Sequence, residues 1–319
     1  MLSDQDLRDQ LAHVLRKTDF QFIGSKYEGK VRDCYDRGSE RVLITTDRLS
    51  CFDVVVTCVP FKGQVLNELA MYWFKLTSDL VPNHVVDVPD PNVMVVKNCE
   101  ILPVEVVLRG YLAGSAWRDY QAGKTVSGVR LPDGLKAYDK LPEVIITPST
   151  KAPKGSHDLP ISEAELLAAG LVKQSLWQQV REVALALFAR GQEQAEQQGL
   201  ILVDTKYEFG QLDGKLVLAD EIHTLDSSRY WVKASYGERL QDGQAPEMLD
   251  KEPMRQWLLD RGYKGDGPVL EFSAEHLVGI ARHYIDSFER ISGRPLEAKV
   301  GAVSDRIETK LMAYFDGRK

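Results

Sequence analysis

The stretch LILVDTKYEFGQLDGKLVLADEI, residues 200–222, constrains this chain most. Two runs rich in aliphatic and aromatic residues, 200–209 and 215–222, flank a turn containing Asp213-Gly214, the pattern of a β-hairpin. Side chains two apart on a strand share a face. Ile201, Val203, Thr205, Tyr207 and Phe209 therefore fall on one face, and Asp204, Lys206 and Glu208 on the other. The returning run adds Asp220 and Glu221. Carboxylates gathered this closely repel one another unless a cation lies among them. Mg²⁺ suits such a place, because it binds one or two carboxylates together with nucleotide phosphates. Lys206 would reach a phosphate oxygen. Spacing alone equally allows an amphipathic hairpin whose charged face is solvated and salt-bridged.

Three other segments place charge in turn-like settings. GSKYEGKVRDCYD, 24–36, has two glycines and three cations between expected strands. Backbone N–H groups there would cradle a phosphate, with Lys30 and Arg32 supplying charge. A basic surface turn explains the same residues. In VVLRGYLAGSAWRDY, 106–120, Arg109 ends an apolar strand and is followed by Gly110, Gly114 and Ser115. That order brings donors to an anion, or simply exposes an arginine at a strand end. In DEIHTLDSSRYW, 220–231, Asp226, Ser227, Ser228 and Arg229 crowd together as a phosphate site or an ordinary polar turn.

The short runs RVLITTD (41–47), FDVVVTCVPF (52–61), VMVVKN (93–98) and VEVVLRG (104–110) read as strands, interrupted by a helix over about 66–78. Ser3 with Asp6 forms a capping box that starts a helix over about 3–17. Residues 121–160 read as one long irregular segment. Ser162 with Glu165 caps a long helical stretch that Gly199 ends. A further helix, 274–291, carries Leu277, Ile280, Ala281, Tyr284, Ile285 and Phe288 on one face. The expected division is a β-rich front part, 1–112, and an α+β rear part, 113–319, on which the tail from 240 packs through the 274–291 helix.

Acidic residues outnumber basic ones 47 to 40, which argues against a nucleic-acid groove but leaves room for local anion sites. Cys34, Cys51, Cys58 and Cys99 include no C-x-x-C pair and read as reduced thiols. The six histidines include no H-E-x-x-H, so no permanent zinc site is expected. No apolar run approaches the ~18 residues of a membrane span. With a polar N-terminus, these features point to a cytoplasmic chain without a membrane partner.

Six strings carry a resemblance: GKVRDCYD, TTDRLSCFDVVV, LPVEVVLRGYLAGSAW, ITPSTKAPKGSHDLPIS, LILVDTKYEFG and LADEIHTLDSSRYW. In this order, from about 24 to 231, they resemble the phosphoribosylaminoimidazole-succinocarboxamide synthase (SAICAR synthetase) family. The length and TPSTKA look like its longer, yeast-type branch. Cys51 stands where many members have Ala, and Leu225 where many have Pro. The resemblance implies an α+β, two-lobed, ATP-grasp-related fold: a smaller antiparallel β lobe that binds nucleotide, a larger α+β lobe, and ATP between them. It implies an ADP-forming C–N ligase of de novo purine biosynthesis. Such an enzyme joins L-aspartate to the carboxylate of carboxyaminoimidazole ribotide (CAIR) through an acyl phosphate, giving SAICAR, ADP and phosphate.

Carried over by motif, Glu208 and Asp220 would hold Mg²⁺. Lys30, Arg32 and Lys206 would contact the ATP phosphates. Backbone groups near Ile101 and Leu102 would read adenine, with Glu105 following in the same motif. Arg109, Ser115, Asp204, Asp226, Arg229 and Ser50 would bind substrate. Asp204 and Lys206 are the catalytic candidates, Asp204 as acceptor of the amine proton. Asp47 and Arg48 beside Ser50, and Ser149-Thr150-Lys151, would complete the aspartate or ribotide pocket. The implied partners are small molecules, with a monomer favoured and a homo-oligomer left open. A phosphotransferase would need H-R-D-x-x-x-x-N and D-F-G, and the chain has neither. A non-catalytic nucleotide binder would be expected to lose part of this residue set, which is complete here.

Overall fold

The computed structural model describes residues 2–151 and 158–318, so part of ITPSTKAPKGSHDLPIS, 152–157, lies outside them. The chain divides into two compact units. The first takes residues up to 72, 84–98 and those from 250 on; the second takes 73–83 and 99–249. This partition differs from a single cut near residue 112.

In the first unit, Ser3 and Asp6 cap each other reciprocally and open α1 (Asp4–Gln10). The helix expected through 17 stops earlier, in a 3-10 turn at Leu11–His13 followed by extended Val14. The cause is tertiary: Leu15 N–H donates to the Asp47 carboxylate at 2.7 Å, and Asp47 N–H donates back to the Leu15 carbonyl. Then come β1 (Ser25–Glu28), β2 (Arg32–Asp36), β3 (Glu40–Thr45), β4 (Arg48–Cys51), β5 (Val54–Cys58), α2 (Lys62–Leu76, its last four residues counted with the second unit), β6 (Val85–Asp90) and β7 (Val93–Lys97). An antiparallel sheet runs β1-β2-β3-β7-β6, and β4-β5 is a separate hairpin.

The second unit holds β8 (Glu100–Tyr111), α3 (Gly114–Gln121), β9 (Lys140–Ile146), β10 (Ser149–Thr150), α4 (Glu163–Ala168), α5 (Gln174–Gln197), β11 (Leu200–Leu212), β12 (Lys215–Ala219), β13 (Ser228–Val232) and α6 (Lys233–Gln241). The 121–160 segment is thus less irregular than expected, because β9 and β10 both pair with β8. The hairpin forms as read: Asp213 and Gly214 take φ of 50° and 73°, the left-handed pair a tight two-residue hairpin turn requires. Its central strand, β11, pairs with β8 along one edge and with β13 and then β12 along the other. The apolar face of β11 is covered by α5, whose Trp177, Val180, Ala184, Leu187 and Phe188 are buried.

The tail returns to the first unit as α7 (Glu252–Asp260), α8 (Ala274–Ser292) and α9 (Val303–Asp316). α8 packs against α1, and α9 buries Val303, Ile307 and Leu311 against Phe20, Tyr35, Val42, Ile44, Val93 and Val95. The tail, expected on the rear part, belongs to the first unit. An apolar helix stripe says that a face is buried, not against which sheet.

Candidate active site

Strand register builds the charged surface of the second unit. Directly paired residues of antiparallel strands stand side by side on one face. Asp204 pairs with Arg109 on β8 and with Arg229 on β13, a row of three charges. Four pairs further along, Glu208 faces Glu105, which in turn faces Ser149 of β10. Lys206 lies between the rows, opposite Val107. The carboxylates of this face are buried, Asp204 4% exposed and Glu208 7%, while Lys206 and Arg229 are partly exposed.

Buried charge must be paired. Asp204 Oδ2 accepts from Arg229 Nη1 at 2.5 Å and Arg109 Nη1 at 3.3 Å. Arg109 also donates to Thr147 Oγ1 at 2.9 Å and Ser115 Oγ at 3.2 Å. Burial lowers the Arg109 pKa, and Asp204 opposes the shift. Ser115 sits in the first turn of α3, beside Gly114 at φ 57°. A Cβ on Gly114 would stand 2.5 Å from Arg229 Nη2, so glycine leaves the guanidinium its place. Thr147 escaped the sequence reading, although the β-branched run before Pro148 signals the strand that delivers it.

Glu105 and Glu208, directly opposed, would repel. Lys206 Nζ donates to Glu105 at 2.6 Å and Glu208 at 3.1 Å, and Lys151 pairs with the other oxygen of Glu208. Burial raises the Glu105 pKa, with Lys206 opposing. For Lys206, burial lowers the pKa, but Glu208, Glu105 and Asp220 more than offset it, and the value stands above that of an ordinary lysine. Lys206 is thus an ammonium at any physiological pH and no general base.

Asp220 follows β12 directly, in the left-handed conformation at φ 64°. Among the described residues no cluster of three or more His, Cys, Asp or Glu could hold a metal. Glu208 and Asp220 offer hard carboxylate oxygens that suit Mg²⁺ only if phosphate oxygens or waters complete the shell. Asp226 is half-buried, its N–H on Thr224 Oγ1. Near Ile101 and Leu102, residues 102–104 of β8 face only Phe209 of β11, an irregularity that suits Pro103, which cannot donate to a ladder. On the other edge of β8, β10 pairs at Glu105 and Val104 and β9 at 108–111. Among the described residues no strand pairs that edge at Ile101 and Leu102.

Lys30, Arg32 and Ser50 belong to the first unit. Lys30 stands at the tip of the β1–β2 hairpin and pairs with Asp53; Arg32 opens β2, and Ser50 is buried in β4. Asp47 and Arg48 are turned inward. Asp47 accepts the N–H groups of Leu15 and Gly63, and burial raises its pKa to about 6.

His223, within the Asp220–Trp231 motif, serves the packing face. It is fully buried, 3.1 Å from Tyr207 Oη and edge-on to Trp73. Burial lowers its pKa to about 3, and the Leu187 carbonyl opposes that only weakly. Between that value and the ordinary 6.5 the unfolded chain binds a proton that the folded chain refuses. Stability is therefore expected to fall as pH falls through this window, by about 2 kcal/mol at pH 5 from this group. Urea midpoints at pH 7 and pH 5 check it: His223→Gln should flatten the dependence, and an unchanged slope would refute it.

A sheet face on which buried carboxylates and cations alternate across several strands defines an α+β enzyme that handles anions. The family model described as SAICAR synthetase matches residues 25–269. The chain belongs to the SAICAR synthetase family, the phosphoribosylaminoimidazole-succinocarboxamide synthases, which are ligases of purine biosynthesis. It is 48% identical over 303 residues to a phosphoribosylaminoimidazole-succinocarboxamide synthase of Legionella pneumophila (strain Lens), covering 92% of this chain and 96% of that one. The SAICAR synthase of Saccharomyces cerevisiae complexed with SAICAR matches the fold with a TM-score of 0.78, at 32% identity, over 89% of this chain and 100% of the other. A SAICAR synthetase in complex with ADP gives 0.65 at 26% identity, over 86% and 100%.

Proposed function

We propose that the chain uses ATP to join L-aspartate to the carboxylate of carboxyaminoimidazole ribotide through an acyl phosphate. The observation that carries this is the pair of buried charge rows, one rich in arginine and one rich in carboxylate, separated by Lys206. Solved relatives bound to SAICAR and to ADP support it. The better match to the yeast enzyme supports the longer branch. A free carboxylate is a poor acyl donor because oxide would have to leave. Transfer of the γ-phosphoryl to a carboxylate oxygen breaks its bond to ADP and supplies a good leaving group. The aspartate amine then attacks the acyl carbon, phosphate departs, the amine loses a proton and the amide forms.

In this scheme Arg229, Arg109 and Ser115 hold the ribotide, Arg229 and Ser115 taking its phosphate. Asp204 accepts from both guanidiniums. With one oxygen taking both guanidiniums, it orients the arginines. Lys206 spreads positive charge toward the transferring phosphoryl group, where the oxygens gather negative charge. Glu208 and Asp220 would hold Mg²⁺, which adds charge neutralisation; Glu208 then shares its carboxylate with Lys151. Ile101 and Leu102 offer backbone to the adenine edge, with Glu105 beside them, and Lys30 and Arg32 meet the phosphates. Asp226 and Ser50 complete the substrate contacts. ADP release tests the scheme. It is expected to require both the ribotide and L-aspartate, and release indifferent to aspartate would reject the ligase.

A further inference from the structure

The turn at the β1–β2 tip is fastened from behind. Arg48 Nη2 donates to the Gly29 carbonyl and Nε to the Lys30 carbonyl, each at 3.0 Å. Thr46 donates to the Val31 carbonyl twice, from N–H at 3.0 Å and from Oγ1 at 2.7 Å. Three successive carbonyls are thus turned into the protein. A trans peptide points its N–H opposite its C=O, and no cis peptide bond occurs among the described residues. The N–H groups of Lys30 and Val31, which share peptides with the first two carbonyls, therefore turn away from Arg48. Successive N–H groups aimed outward make a concavity that receives anions.

Arg48 is committed to this task. It is 6% exposed, its charge is matched by fully buried Asp33 at 2.9 Å, and Nη1 donates to the Arg16 carbonyl at 2.6 Å. Each guanidinium nitrogen is bonded inside the protein. Asp33 is held in turn by Thr18 N–H and by Lys26. Lysine cannot replace this planar fork, because its single ammonium is a point donor that does not span separated carbonyls.

We propose, building on the phosphate role assigned above to this turn, that Arg48 and Thr46 are positioning residues that shape the cradle while Lys30 supplies its charge. Arg48→Lys keeps a cation for Asp33 but releases the peptide planes. ATP should then bind about tenfold more weakly, with adenosine unchanged within about twofold. Thr46→Val, which keeps its backbone donor, should weaken ATP by about threefold with the same selectivity. Calorimetric titration of the full chain with ATP and with adenosine reads both, with Lys30→Met as reference. If Lys30→Met weakens ATP but neither Arg48→Lys nor Thr46→Val does, the proposal falls and the phosphate role stands. If Lys30→Met leaves ATP binding untouched, that role fails and the proposal falls with it. Equal loss of ATP and adenosine would mean general loosening and overturn it too. Should Arg48→Lys not fold, Thr46→Val decides alone.

Discussion

Replacing Lys206 with methionine should cut turnover by about 10³-fold or more, the scale of losing a charged donor at a transferring phosphoryl group. Methionine keeps the length of the stem and removes only the ammonium. The folded chain also changes, because Glu105 and Glu208 then face each other across β8 and β11 with Lys151, among the described residues, still paired to Glu208. Two opposed buried carboxylates cannot both stay ionised cheaply, so the variant's pair should keep a proton above the ordinary carboxylate range. The sign of the pH effect follows. With Lys206 present, its raised pKa contributes stability at every pH below the ordinary lysine value, lost only as pH climbs beyond it. Without it, the carboxylate pair is raised, and the folded state holds a proton that the unfolded state has shed. Stability of the variant should therefore fall as pH rises through and above the carboxylate range. The deficit against the parent should be larger at pH 8 than at pH 5. Turnover within tenfold of the parent would sink the assignment, and a deficit independent of pH would sink the account of the carboxylate pair.

That prediction shows what sequence spacing can and cannot carry. Period-two alternation placed Asp204, Lys206 and Glu208 on one face, and the strand pairing agrees. Whether that face meets water was undecided, because burial depends on what lies opposite. Glu105 and Arg109 are about a hundred positions away in sequence, and only the β8–β11 register brings them alongside. Gly114 was legible as a turn residue, but its function is steric and depends on Arg229 arriving from β13. Arg48 reads as a pocket residue by resemblance and Thr46 carries no signal of its own; their inward hydrogen bonds depend on a turn more than a dozen positions earlier. The short α1 has the same explanation, since Asp47 captures Leu15 and ends a helix that local pattern would continue. Local chemistry names the groups, and tertiary pairing decides which of them meet.

The tail carries the second large effect. Deleting residues 303–319 should leave the first-unit sheet unable to hold its fold. Ile307 and Leu311 are fully buried and Val303 nearly so, against side chains of β2, β3 and β7. Burying three such aliphatic side chains contributes about 5–9 kcal/mol, comparable to the ~5–15 kcal/mol that separates most folded domains from their unfolded chains. The deletion also strips Arg306 from Asp90, which is 1% exposed and receives Nε at 2.8 Å and Nη2 at 3.1 Å. An unpaired carboxylate at that depth adds to the cost. A graded version avoids relying on failure to fold. Ile307→Ala should lower stability by about 2–5 kcal/mol, whereas Met312→Ala, at a position 45% exposed on the same helix, should stay within about 0.5 kcal/mol. Amide exchange gives the location: protection in β2, β3 and β7 should drop in Ile307→Ala and persist in Met312→Ala. Equal protection in the two variants would mean that α9 merely lies on the sheet. A selective loss would mean that a helix following every recognised motif of the chain completes the core of the unit that carries Lys30 and its cradle.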